Sequence, residues 1–369
     1  MTTQKPSVNW PAALTLWLTL LAAVTVVPWY GVQFGFTGWA WAFALLFVVL
    51  NGVGIGSGYH RLWSHRAYRA HPALRLFFAI FGGMALQNSV LVWCARHRAH
   101  HRDVDDNDND PYSIGRGFWF AHIGWMLRDY PSSEVDERLV PDLLRDPIVI
   151  WQHRWYVPLA IATNVGLPIL LGWWVGDIWG VFLLAGVARV VVNHHVTFCI
   201  NSLAHLWGTQ PYTDENSARD NWFIALLTYG EGYHNYHHMF QSDYRNGIRW
   251  WQFDMNKWFI ATCALLGLAS HRKRAPGFKV LRARLNMEFK RARQRLAEES
   301  VDRSWRETLE QEYVEFLETV KEWQQLHVQR VQQGRAALVE MLDTRYRELE
   351  FALKMQRKRL ALLTAQLSV

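Results

Sequence analysis

Four apolar stretches, each long enough to cross a lipid bilayer as a helix, restrict this chain to a membrane-embedded helical fold. The first covers residues 11–29, PAALTLWLTLLAAVTVVPW, and the second runs from about Thr37 to Ile55. A third covers Tyr156 to Val175. The fourth, Trp179 to Ile200, is interrupted only by Arg189 and the pair His194/His195. About 20 apolar residues cross the hydrocarbon core as a helix, so four spans is the natural count.

Residues 74–93 are also apolar, but they contain Arg75, Gly82, Gly83, Gln87 and Asn88. They predict a helix buried in protein or lying at the interface, not a fifth span. Four spans put residues 56–155 and everything after 201 on one side. Those segments hold nearly all the Arg and Lys, whereas the opposite loops, around 30–36 and 172–178, hold none. The positive-inside rule makes the shared side the cytoplasm, with both termini there. Lys5 alone precedes the first apolar run and no cleavage motif follows it, so the segment reads as a retained span.

The net charge of +7 belongs to the tail: residues 271–369 carry 21 Lys and Arg against 14 Asp and Glu. The main body is neutral, which argues against a nucleic-acid binder. From 277 onward Leu309, Tyr313, Phe316, Val320 and Trp323 recur in steps of four and three, as do Leu338, Leu342, Tyr346, Leu349 and Leu353. That seam predicts two long helices, folded back or paired with another chain. We therefore expect a membrane domain over 1–270 and a basic, coiled-coil-like tail over 271–369, with self-association through the tail as one reading. Cys94, Cys199 and Cys263 are too dispersed for a disulfide framework or a CxxC metal site.

Fourteen of the 16 histidines lie in residues 1–270, and nine fall into spaced groups: His60/His65, His97/His100/His101, His205 and His234/His237/His238. Each group sits just beyond an apolar segment on the expected cytoplasmic side. On a helix, positions i, i+3 and i+4 share a face, so His234, His237 and His238 are expected to converge on one point. Nine imidazoles exceed the shell of one ion, so the arithmetic points to two. An all-nitrogen shell suits iron, copper or zinc, and iron if dioxygen is involved. His194 and His195 read as satisfied residues of the fourth span, and His122 as a candidate support for a ligand. The run Asp103–Asp110 lacks the glycine and terminal glutamate of a calcium loop and reads as a solvated turn.

The boxes HxxxxH, HxxHH and HxxHH, with NSLAH between the last two, resemble those of the membrane fatty acid desaturases, and most closely the stearoyl-CoA-type Δ9 acyl-CoA desaturases. The likeness covers roughly residues 10–265 and includes GYHRLWSH (58–65), QNSVLVW (87–93), HRAHH (97–101), RGFWFAHIGWML (116–127) and GEGYHNYHH (230–238). The resemblance implies an all-α fold, a four-helix transmembrane bundle under a cytoplasmic helical cap that carries the boxes. It implies two irons held by His60, His65, His97, His100, His101, His205, His234, His237 and His238, with Asn201 holding a metal-bound water. The family reaction places a cis double bond at carbon 9 of a long acyl chain, using O2 and two electrons. Its bent substrate tunnel is matched by Gln87, Trp93 and Thr197 at the kink, by Trp125 on the wall, and by Asn88 at the CoA headgroup. An Arg-Asp pair that contacts CoA in the family is replaced by Ala95-Arg96, which leaves acyl carrier protein or a lipid ester open as the carrier. At the closed end, Val48 and Gly52 stand where bulk is expected, so we expect a deeper tunnel that accepts chains of 18 carbons or longer.

A hydroxylase or ketolase on the same boxes, and a histidine-rich metal-binding or transport protein, are the competing readings. GEGYHNYHH with QN and Thr197 favours desaturation, and ligands beyond the spans disfavour a metal relay. No haem or ferredoxin motif accompanies the boxes, so the electrons are expected from a separate carrier of ferredoxin or cytochrome b5 type. With no retention signal, a bacterial inner membrane is expected over the endoplasmic reticulum.

Overall fold

A computed structural model describes residues 6–298, 303–332 and 336–366. Among the described residues, four helices are apolar and long enough to cross a membrane: Trp10–Phe34, Gly38–Ser64, Tyr156–Val175 and Ile178–Leu206. The second and fourth are 61% and 56% buried, the first and third only 17% and 28%, so the second and fourth form the inner pair. The apolar contacts of that pair centre on Phe43, Phe47, Val181 and Leu184. The two connecting turns lie at the same end of the bundle, because Thr37 donates to Asp177 across them at 2.6 Å. Each also starts its helix: Thr37 accepts from the amide of Ala40, and Asp177 from that of Gly180.

The apolar segment 74–93 is not a span. It divides into the helix Pro72–Gly83, capped by His71, and the start of the helix Val90–Asp103, capped by Ser89. Left-handed backbone at Leu86 and Asn88 makes the turn between them. The 12-residue helix lies along the end of the second span, where Gly54 meets Gly82. A β-carbon at Gly54 would come within 2.5 Å of the Gly82 amide nitrogen, so only glycine allows this approach. A two-stranded antiparallel pairing, Arg69–Ala70 with Ala269–Ser270, closes the membrane unit.

Two compact units emerge, one of residues 1–209 with 216–274 and the other of residues 210–215 with 275–369. The second holds three helices, Gly277–Glu298, Arg303–Gln332 and Ala336–Gln366, where two were expected. The seam is used within the chain: Leu309, Phe316, Val320 and Leu353 pack with Leu285, Phe289 and Leu296 of the extra helix, and Trp323 and Leu349 with Phe278. The extra helix escaped the periodicity because Arg and Lys dominate its sequence. The side chains of Leu338 and Leu342 lie outside the described residues.

Candidate metal centre

The nine box histidines come together in two groups. His60, His65, His97, His101 and His237 form one, and His100, His205, His234 and His238 the other. Within each group the candidate donor atoms lie within 4.8 Å of one another. Seven of the nine are buried, with His65 and His101 half-buried.

Local helix geometry explains the first box. In an α-helix, residues five apart point about 140° away from each other. Here the second span ends as an 11-residue stretch, Gly54–Ser64, wound with i→i+5 hydrogen bonds, and the amide of His65 bonds the carbonyl of His60. Five residues then make little more than one turn, so both imidazoles face roughly the same side.

The other two boxes do not behave as a single helix face. In each, the i and i+4 histidines serve one group and the i+3 histidine the other. His97 and His101 join the group of five while His100 leaves it; His234 and His238 join the group of four while His237 leaves it. The expected convergence of His234, His237 and His238 on one point is therefore corrected. Positions i+3 and i+4 differ by about 100° around the axis, and two helices facing each other exchange their odd histidines.

The nitrogen spacings suit a shared ion. His65–His97, His60–His237 and His237–His101 have Nε2–Nε2 distances of 2.8, 3.0 and 3.0 Å. In the other group His234–His205, His238–His234 and His100–His238 stand at 3.1, 3.1 and 3.4 Å. Two nitrogens each about 2.0–2.1 Å from one metal, at 90–110°, are roughly 2.9–3.4 Å apart. Four of the inward lone pairs are fixed by partners on Nδ1, that of His97 by the Tyr112 hydroxyl at 3.3 Å. His60 donates to Glu231 at 3.0 Å, His100 to Asp110 at 2.9 Å, and His205 to the Ser217 hydroxyl at 2.7 Å. Burial, and then the nearby imidazoles, push His97, His101, His234, His237 and His238 well below the ordinary histidine value. They are neutral at physiological pH, as ligands must be.

None of these partners was singled out from the sequence. Glu231 is buried with Arg61, Asn246 and Asn256 on its oxygens. Burial alone would raise its carboxyl, but Arg61 and His60 outweigh that and hold it at about 2. Asp110, at 0% exposure, corrects the reading of 103–110 as a wholly solvated turn: Asp105 and Asp110 point inward while Asp106 and Asp108 stay outside. The only signal in the sequence was that the acidic run follows the second box directly. His122 bonds Ser202 and His195, not a box histidine, and His194 bonds the Ala85 carbonyl.

A cavity of about 640 Å³ adjoins the histidines and is lined by His60, His97, His100 and His234 among others. Gln87, Asn88, Trp93, Trp125, Thr197, Asn201 and Gly52 also line it, whereas Val48 does not. Trp93 donates to Gln87 at 3.3 Å and Gln87 to Thr197 at 2.9 Å, a hydrogen-bonded set along one wall. Gly52 does not leave open space. A β-carbon there would meet the ring of Tyr229 at 2.8 Å, and the Tyr229 hydroxyl is held by Asn193 at 2.5 Å. The room expected from a small residue at Gly52 is filled by a side chain 177 positions away in the sequence, so no deepening comes from it.

Comparison with known proteins bears directly on these groups. Residues 39–272 match the fatty acid desaturase family model. The chain is 48% identical over 228 residues to a probable acyl-CoA desaturase of Schizosaccharomyces pombe, covering 62% of this chain and 47% of that protein. It is 40% identical over 299 residues to acyl-CoA desaturase 1 of Saccharomyces cerevisiae, covering 78% and 58%. Against human stearoyl-CoA desaturase 5 it is 40% identical over 232 residues, covering 62% and 70%. The chain thus spans about half the length of the two yeast relatives. With the family match extending over every box histidine, the chain belongs to the fatty acid desaturase family.

Proposed function

We propose that the chain is an acyl-CoA desaturase that inserts a cis double bond, at carbon 9, into a long saturated acyl thioester, with O2 and two electrons from a separate carrier. The observation that supports it best is the pair of histidine groups beside a cavity of about 640 Å³, in a chain whose relatives are named acyl-CoA and stearoyl-CoA desaturases. Each group would hold one iron: five histidines at one, and four at the other with Asn201 holding a water. The irons supply the oxidising chemistry that removes hydrogen from two adjacent methylenes. Everything else is positioning by the chain's own residues.

Asn88 and Arg96 meet the carrier end of the substrate, and Trp125 lies along the acyl wall. Trp93, Gln87 and Thr197 shape the chain where it passes the histidines, and Gly52 with Tyr229 bounds its methyl end. Burial of the histidines excludes bulk water from the reacting carbons. The box-bearing side and both termini are assigned to the cytoplasm by their charge, where a ferredoxin or cytochrome b5-type donor reaches them. The named relatives are eukaryotic, which weighs toward the endoplasmic reticulum and against the bacterial inner membrane expected from the sequence. Residues 1–270 form the catalytic domain and 271–369 an accessory helical one.

The test is a lipid extract from cells expressing the chain, set against His237→Ala. New Δ9-monounsaturated chains that vanish in the variant are the expected result. Hydroxylated products, or unchanged lipids with a correctly inserted protein, would refute it.

A further inference from the structure

The two histidine groups differ in the charge that surrounds them. Near the group of five, the carboxylate on His60 is paired with a cation. Glu231 is shared with Arg61 at 2.8 Å, and Arg61 also pairs with Asp254 at 2.9 Å. On the same side Arg98 forms a two-pronged pair with Asp142, at 2.7 and 2.9 Å, while bonding the carbonyls of Trp63 and Ser64 next to His65.

Near the group of four, among the described residues, the two carboxylates linked to His100 and His205 carry no such partner. Asp110 accepts from His100 and from the backbone amides of Asp105 and Tyr112. Asp105 accepts from the amide and hydroxyl of Ser217, at 2.7 and 2.5 Å. That hydroxyl, having given its proton to Asp105, accepts from His205. Among the described residues neither Asp105 nor Asp110 forms an ion pair with a Lys or Arg.

We propose that Asp110, with Asp105 acting through Ser217, supplies to the four-histidine site the negative charge that compensates for its missing fifth imidazole, making Asp110 the positioning residue on which retention of that one metal depends. The inference rests on reading both groups as iron sites. Its physical basis is that a carboxylate on the outer nitrogen of an imidazole orients the ring and makes the inner nitrogen more basic. An anion without a cationic partner also stabilises a nearby dication more than one paired with an arginine does. Removing such a partner lowers metal affinity by roughly 10- to 100-fold. The effect should fall on one metal of the two.

Asp110→Asn separates charge from shape, because the amide oxygen still accepts from His100 and one backbone amide. The full chain, purified in detergent, is dialysed against a graded iron chelator, and iron per chain is measured with size-exclusion elution as the check on folding. Wild type should hold two irons, and Asp110→Asn should release one of them at roughly 10- to 100-fold lower chelator concentration while keeping the second. Ser217→Ala should weaken the same iron, and it carries the test if Asp110→Asn does not fold. In a His238→Ala background, where the four-histidine site is already broken, Asp110→Asn should change nothing further. Two irons retained as in wild type, or both released together, would overturn the proposal. Wild-type protein that never holds two irons would instead remove the reading beneath it.

Discussion

Replacing Tyr229 by alanine should lengthen the acyl chains the protein accepts. The Tyr229 ring occupies the place where a side chain at Gly52 would stand, its hydroxyl anchored on Asn193, and both residues line the cavity. A chain two methylenes longer than the cavity holds must leave those groups unburied or push the ring aside. Each methylene is worth about 0.8 kcal/mol when buried, so two cost about 1.6 kcal/mol, roughly 15-fold in kcat/KM. In wild type we expect that step between the longest accepted acyl-CoA and the one two carbons longer. In Tyr229→Ala it should shrink toward unity, while rates on shorter chains change little. Tyr229→Phe keeps the ring and should preserve most of the step. The assay is product quantification with purified protein and C16, C18 and C20 acyl-CoAs under competition. An unchanged chain-length profile in Tyr229→Ala, with metal content equal to wild type, would refute the assignment of Tyr229 to the methyl end.

Gly54→Ala should destabilise the membrane unit by about 1–3 kcal/mol or prevent its assembly, since the new methyl group meets backbone of the neighbouring helix, which cannot yield as a side chain can; thermal unfolding in detergent measures it, and an unchanged midpoint would contradict the close contact. Asp142→Asn should cost about 1–2 kcal/mol through loss of the two-pronged bond to Arg98, a value reduced by the partial exposure of the pair. The pH dependence has a definite sign. Burial raises the Asp142 carboxyl, but hydrogen bonding and charge from Arg98, with Arg66 beyond, leave it below its ordinary value. Its contribution is complete above about pH 4 and disappears as pH falls through the lowered folded-state value. The wild-type advantage over Asp142→Asn should therefore shrink in acid, and an advantage that grows there would be inconsistent with the pair. Glu231→Gln should weaken the protein more than Asp142→Asn, because Arg61 is left buried with Asp254 as its one remaining acidic partner; urea titration compares the two.

The spans and the nine histidines that cluster were legible in the amino-acid sequence because each rests on a local rule. Length and apolarity mark a helix that can cross a bilayer, and imidazoles at helical spacing mark candidate ligands. The number of histidines also pointed to more than one ion. Which histidine serves which group was decided only by the fold. His100 and His237 change sides because two helices far apart in sequence face each other, and His65 joins His60 because the span unwinds from α to a wider helix over Gly54–Ser64. Tyr229 behind Gly52, Glu231 on His60 and Asp110 on His100 were likewise out of reach. Periodicity and composition report the face a residue shares with its near neighbours, whereas packing and charge compensation depend on what arrives from elsewhere in the chain.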